Sequence, residues 1–177
     1  EERWETELAG NTEPVKLLNP IASQMSVMRS SLLGSLLQVL KFNQDRRAAR
    51  VRVFELGRVF LRDMSAPDGA TAVAGLRQPM RVAAMAVGAE DQSQWSGKER
   101  ATDFFDAKGD VEALLAPFAV SFQPAGHPAL HPGRSAKVCV HGQVIGVVGE
   151  LHPRWRQRYE LAQAPVLFEL DLQAVLR

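Results

Sequence analysis

The chain has one cysteine, one tyrosine and no long apolar run, and each scarcity excludes something. With Cys139 alone, no disulfide can form within the chain, and the count suits a reducing cytosol. No apolar stretch approaches the roughly 20 residues that a membrane-crossing helix needs. The opening EERWETELAG lacks the basic and apolar blocks of a secretory signal. It also lacks an initiating methionine, so the expectation is a piece cut from a longer protein. Neither sign of charge is in excess: 21 Lys and Arg stand against 20 Asp and Glu, for a net charge of +1. That balance predicts no global pull toward nucleic acid or a membrane. The phosphate-cradling patterns GxGxxG and GxxxxGK are missing as well.

What is present fits one globular domain. Hydrophobic residues make up 46% of 177, enough for a real core. Residues 1–14 read as a polar lead-in, and PVKLLNP as a short strand closed by Pro20. Met25, Met28, Leu32, Leu33, Leu36, Leu37 and Leu40 recur at three and four residues. That spacing predicts an amphipathic helix over 25–42, with Ser23 as its N-cap. Arg46, Arg47 and Arg50 fall at or past its C-terminal end, where positive charge is favourable.

Residues 51–62, VRVFELGRVFLR, read as a strand with apolar side chains on both faces, hence central and covered on each side. Residues 64–79 read as a loop, and 80–88 as a second strand. DFFDAKGDVEALLAPF predicts a helix capped by Asp103 or Asp106. AVSFQPA follows as a short strand and AGHPALHPGR as a proline-rich turn. SAKVCVHGQVIGVVGEL predicts a hairpin turning at His141-Gly142. HPRWRQRYEL predicts a short helix with Pro153 in its first turn, and APVLFELDLQAVL a last strand running into a short helix. The order shows no βαβ alternation. It predicts an α+β fold, a mostly antiparallel sheet with helices laid on it.

No cluster of residues amounts to an active site. Cys139 and His141 share a strand face, but side chains at i and i+2 diverge and nothing orients the imidazole. A buried cysteine beside a turn histidine is the better reading. His127 and His131 have zinc-like spacing, yet Pro128 and Pro132 prevent the helix that would aim both rings together, and no second ligand pair exists. Asp103, Asp106, Asp110 and Glu112 could suggest magnesium, but carboxylates at a helix N-terminus already have a structural reason. Arg154, Arg156 and Arg158 with Trp155 and Tyr159 have the composition of a nucleic-acid patch, or of a solvated helix face anchored by Trp155. The expected metal and cofactor sets are therefore empty.

Several stretches together carry more. LLNPIASQMSVMRSSLLGSLLQVLKFNQDR, VRVFELGRVF, DFFDAKGDVEALL, GQVIGVVGELHP and FELDL, in that order over residues 15–172, resemble the β subunit of bacterial phenylalanyl-tRNA synthetase in its catalytic-like domain. The resemblance implies a class II synthetase-like antiparallel sheet flanked by helices, with 15–177 as the domain and 1–14 as its lead-in. It implies an α subunit as partner in an (αβ)₂ enzyme of the cytoplasm. That enzyme charges tRNA(Phe) with phenylalanine, and its ATP and magnesium are used by the α subunit. Active class II enzymes end the strand equivalent to FELGRVFLRD in an arginine that binds the ATP α-phosphate. The resemblance puts Leu61 at that position, with Arg62 one residue late and so on the opposite face. A second ATP-binding arginine belongs to a Gly-x-Gly-x-x-Arg motif, where this chain has Glu169, Asp171 and Ala174. A guanidinium–phosphate contact cannot be replaced by leucine or alanine. The expectation is a non-catalytic scaffold domain. The other reading is a stand-alone RNA-binding module using Arg154, Arg156 and Arg158.

Overall fold

A six-stranded antiparallel sheet, in the order β1-β4-β8-β7-β6-β5, organises the protein in this computed structural model. The structure describes residues 2–70, 72–90 and 99–175. The sheet strands are β1 (Val51–Arg58), β4 (Met80–Val87), β5 (Val120–Pro124), β6 (Leu130–Val140), β7 (Gln143–Leu151) and β8 (Val166–Asp171). Two short strands, β2 (Leu61–Arg62) and β3 (Leu76–Arg77), pair separately. Helices α1 (Leu33–Asp45) and α3 (Pro153–Arg158) join one core, and α2 (Phe104–Leu115) and α4 (Leu172–Val175) the other. This is the α+β, class II synthetase-like arrangement that the sequence predicts.

The first face is sealed by α1. Leu33, Leu36, Leu37 and Leu40 pack on Val51, Ala83, Met85 and Leu167, with Trp155 closing the side. Full burial of each leucine contributes roughly 1.5–3 kcal/mol. Leu8, 1% exposed, belongs to this core too, so the 1–14 lead-in packs into the domain through a π-helical turn, Trp4–Leu8. On the second face Val111 and Leu115 of α2 meet Val138, Val148 and Phe168 of the sheet.

Three expectations need correction. The main helix starts at Leu33, not near Met25: Ser23–Met25 is a single 3₁₀ turn, and Ser23 caps nothing. Met25 is 59% exposed, so its helical spacing from Met28 and Leu32 does not reflect burial. PVKLLNP forms no strand beyond an isolated bridge between Lys16 and Val27. The strand over 51–62 is broken after Arg58, and β1 lies at the sheet edge rather than its centre. Its apolar second face is bare, with Phe54 73% exposed.

The β6–β7 hairpin turns at His141-Gly142, where both residues have positive φ, +50° and +78°. That is the backbone a two-residue antiparallel turn requires. The proline-rich stretch before it is partly strand, since β6 already begins at Leu130.

Candidate functional site

The buried charges of the first face converge at the start of α1. Helix N-termini leave backbone N–H groups without partners. Here two carboxylates from distant segments accept from backbone N–H groups just ahead of the helix. Glu169 on β8, 5% exposed, accepts from the Leu32 backbone N–H at 2.6 Å and from Ser31 Oγ at 3.1 Å. Glu5 accepts from the Ser30 N–H at 2.6 Å and from the Ser30 hydroxyl. Arg81 on β4 donates to Glu169 Oε2 at 3.0 Å and to the Ser30 carbonyl at 3.1 Å.

This junction forms one wall of a cleft of about 280 Å³ lined by Arg81, His127, Glu169 and Asp171 with residues 144–147. Burial pushes the Glu169 carboxyl up, against the opposing pull of the Arg81 charge and the Leu32 and Ser31 donors. Burial, helped by the Arg81 charge, pushes His127 down to about 4, so its ring is neutral near pH 7. Its Nδ1 accepts from the Ala129 N–H at 3.2 Å. The cleft's main charges thus satisfy one another and the helix terminus.

The positions singled out in the sequence lie as follows. Leu61 packs against the α1-side core. Arg62, its neighbour, is exposed and donates from Nε to the Glu13 carbonyl at 3.2 Å. Asp171 accepts from the Gln173 N–H at 3.0 Å, capping α4, and Ala174 packs against the α2-side core. Leu61 and Ala174 therefore belong to opposite sides of the sheet.

The basic helix is engaged internally. Arg154 donates to the Glu7 and Pro128 carbonyls at 3.1 and 2.9 Å. Arg156 reaches the Leu161 and Ala162 carbonyls at 3.2 and 2.8 Å. Arg158 pairs with Glu7 Oε2 at 2.8 Å, and Arg3 with Arg158 holds that carboxylate below its usual range. Trp155, 1% exposed, anchors the helix and donates from its indole to the Pro128 carbonyl. These arginines tie the N-terminal turn and the 125–129 loop to α3.

The remaining candidates have structural roles. Cys139 is buried while His141 sits in the exposed turn, edge-on to Phe118. His131 Nδ1 accepts from the Gly133 N–H, as His127 does from Ala129, so both rings serve local turns. Asp103 and Asp106 form a reciprocal capping box on α2. Asp110 lies 4.0 Å from Arg52, and Glu112 pairs with Lys108. Among the described residues, no three His, Cys, Asp or Glu side chains group as metal ligands, and no helix is long and apolar enough to cross a membrane.

The sequence reading missed the junction of Glu5, Glu169 and Arg81. One signal was available: Ser30-Ser31 just before the leucine run is a helix-start pattern. Indeed Ser31 Oγ accepts from the Leu33 N–H at 3.1 Å. It also missed Arg29, which crosses β1 to pair with Glu55 and to donate to the Arg58 carbonyl at 3.0 Å. A Cβ on Gly57 would press against the Arg29 guanidinium, so glycine at that strand position makes room for the arginine.

Comparison with known proteins agrees with this architecture. The phenylalanine–tRNA ligase β subunit of Cupriavidus pinatubonensis is 57% identical over 175 residues, which is 99% of this chain and 22% of that protein. The β subunit of Chromobacterium violaceum is 52% identical over 176 residues, 99% of this chain and 21% of that protein. The chain thus spans about a fifth of the length of these curated relatives. Among solved structures, PylSc of Desulfitobacterium hafniense, a pyrrolysyl tRNA synthetase, superposes with a TM-score of 0.58 at 12% identity. The match covers 92% of this chain and 51% of that one, and shows a shared fold. Residues 1–172 match the family described as the phenylalanyl tRNA synthetase beta chain CLM domain, and with relatives this similar over its whole length the chain belongs to that family.

Proposed function

We infer that this domain is a non-catalytic scaffold within a phenylalanine–tRNA ligase β subunit. It supports an (αβ)₂ enzyme of the cytoplasm whose α subunit activates phenylalanine with ATP and magnesium and charges tRNA(Phe). One observation carries the reading: Glu169, at a position where the resemblance expects glycine, is buried and engaged by Ser31, Leu32 and Arg81. A carboxylate fixed there repels phosphate, while the neighbouring Arg81 is already paired. Leu61 and Ala174, at the expected arginine positions, offer no cation. Preorganised cations are the main means of stabilising a transferring phosphoryl group, each worth a few kcal/mol in the transition state. Losing two leaves negligible turnover.

The test has two parts. The isolated chain should show no phenylalanine-dependent pyrophosphate exchange above background. In the assembled α–β enzyme, Arg62→Ala should leave aminoacylation within about twofold, since ordinary surface changes have small effects. A hundredfold loss with assembly intact would make Arg62 an active-site residue and sink the reading.

The RNA-binding alternative finds no support in these comparisons. Arg154, Arg156 and Arg158 have intramolecular partners.

A further inference from the structure

Ser30 joins two segments that lie far apart in the chain. Its N–H and its hydroxyl both donate to Oε2 of Glu5, in the N-terminal turn. Its carbonyl accepts from Arg81 Nη1 at 3.1 Å. The same nitrogen donates to Glu169 at 3.0 Å, and Glu169 in turn holds Ser31 and Leu32. A continuous run of hydrogen bonds thus leads from Glu5, through Ser30 and Arg81, to the cleft lined by Arg81, His127 and Glu169. Bonds in such a run strengthen and position one another, so a change at one end is felt at the other.

The Glu5 end is the easier one to release. Among the described residues, the backbone of 4–9 bonds to no other backbone beyond residue 11: the Ala9 N–H returns to Trp4, and the Asn11 N–H to Glu5. Side chains do the holding instead. Trp4 packs on Gly34 of α1, where a Cβ would crowd its ring. Leu8 enters the core, and Glu7 pairs with Arg158 at the surface. Gly10, at φ +73°, turns the chain away immediately afterwards. A segment anchored by side chains rather than by sheet pairing opens at lower free energy than the sheet beside it.

We propose that the N-terminal turn is a strap that sets how open the Arg81–His127–Glu169 cleft is. When it is seated, Glu5 fixes Ser30, and the Ser30 carbonyl keeps Arg81 against Glu169 at the cleft wall. When it is released, Ser30 shifts, Arg81 loses one of its two acceptors, and water enters beside His127. The strap, seated or released, is the two-state element that coupling between distant groups requires.

The test is carbethoxylation of histidine by diethyl pyrocarbonate in the complete β subunit, read residue by residue by mass spectrometry. The reagent reports access to the imidazole, and exposed His141 serves as the internal standard. In the unaltered protein His127 should react more slowly than His141. Glu5→Ala should speed His127 roughly tenfold, as local opening becomes easier, and leave His141 unchanged. Glu5→Gln should stay near the unaltered rate, because both Ser30 bonds go to one oxygen, which the amide carbonyl replaces. Trp4→Ala, which unseats the strap but keeps the Glu5 carboxylate, should act in the same direction by a smaller factor. It stands in if Glu5→Ala does not fold. Leu40→Ala opens the same core in the second half of α1 and should leave His127 slow. If neither Glu5→Ala nor Trp4→Ala speeds His127, the strap proposal fails. If Leu40→Ala speeds it as much, the cause is general loosening of the fold, and the proposal fails too.

Discussion

Two helices of similar length solve the same problem at their N-termini in different ways. α2 is capped from within four residues: Asp103 accepts from the Phe105 and Asp106 N–H groups at 2.8 and 3.3 Å, and Asp106 returns to the Asp103 N–H at 2.7 Å. Arg100 then grips Asp106 with two bonds, at 2.8 and 2.5 Å. α1 has no cap from its boundary residue Leu32, and its one local side-chain acceptor is Ser31, which takes the Leu33 N–H. The segment leading into it is held by Glu5 and Glu169, the latter 137 residues from Leu32. A local cap helps a helix before the rest has folded. A cap supplied by β8 can act only once the sheet exists. So α1 depends on the tertiary structure in a way that α2 does not, and three experiments probe that difference.

The largest expected effect is at the long-range cap. Glu169→Ala removes the acceptor for Leu32 and Ser31 and leaves Arg81 without its partner. Breaking a buried ion pair on one side costs about 3–5 kcal/mol. Urea unfolding would read this directly, and a loss below about 1 kcal/mol would mean that α1 does not depend on β8.

Next comes pH, where two groups lining one cleft have opposite signs. The His127 value falls from 6.5 to about 4 on folding. Its contribution is complete above pH 6.5 and is lost as pH falls toward 4, by at most about 3 kcal/mol. The Glu169 value is raised from 4.5. Its titration therefore favours the folded state at low pH, and that advantage declines as pH rises past 4.5. Stability measured between pH 4 and 7 should flatten in His127→Gln. In Glu169→Gln, the acid-side loss should become steeper relative to the unaltered protein. Identical profiles for all three would show that neither group is buried in solution.

The smallest effect is at the local cap. Asp103→Ala should cost about 1 kcal/mol, the usual value of an N-cap. Asn at the same position should restore most of it. A loss as large as that of Glu169→Ala would erase the contrast between the helices.

The same contrast explains which features were legible in the sequence. Elements whose signals lie within a few residues were readable: the Asp103 and Asp106 box, the His141-Gly142 turn, Pro153 opening α3, and the leucine spacing of α1. The start of α1 was misplaced because Met25 and Met28 continue the leucine spacing, and periodicity carries no information about where a cap will come from. The edge position of β1 was also hidden. Phe54 and Leu56 give it two apolar faces, the pattern of a strand covered on both sides, and nothing local tells such a strand from an edge that is left bare. The candidate site positions were named one by one from resemblance. That Glu169 binds Arg81 and the residues before α1 could not be read from spacing, because those groups are far apart in the chain.

The α+β class and the family were legible without coordinates, because patterns of two to four residues and ordered motifs need no tertiary contact to be read. How the charges are partnered came from the packing alone. Arg154, Arg156 and Arg158 look like a free basic patch until the Glu7 side chain and the carbonyls of Glu7, Pro128, Leu161 and Ala162 come within hydrogen-bond reach. A charged side chain's role depends on its neighbours in space, and those are set by the packing of segments more than a hundred residues apart.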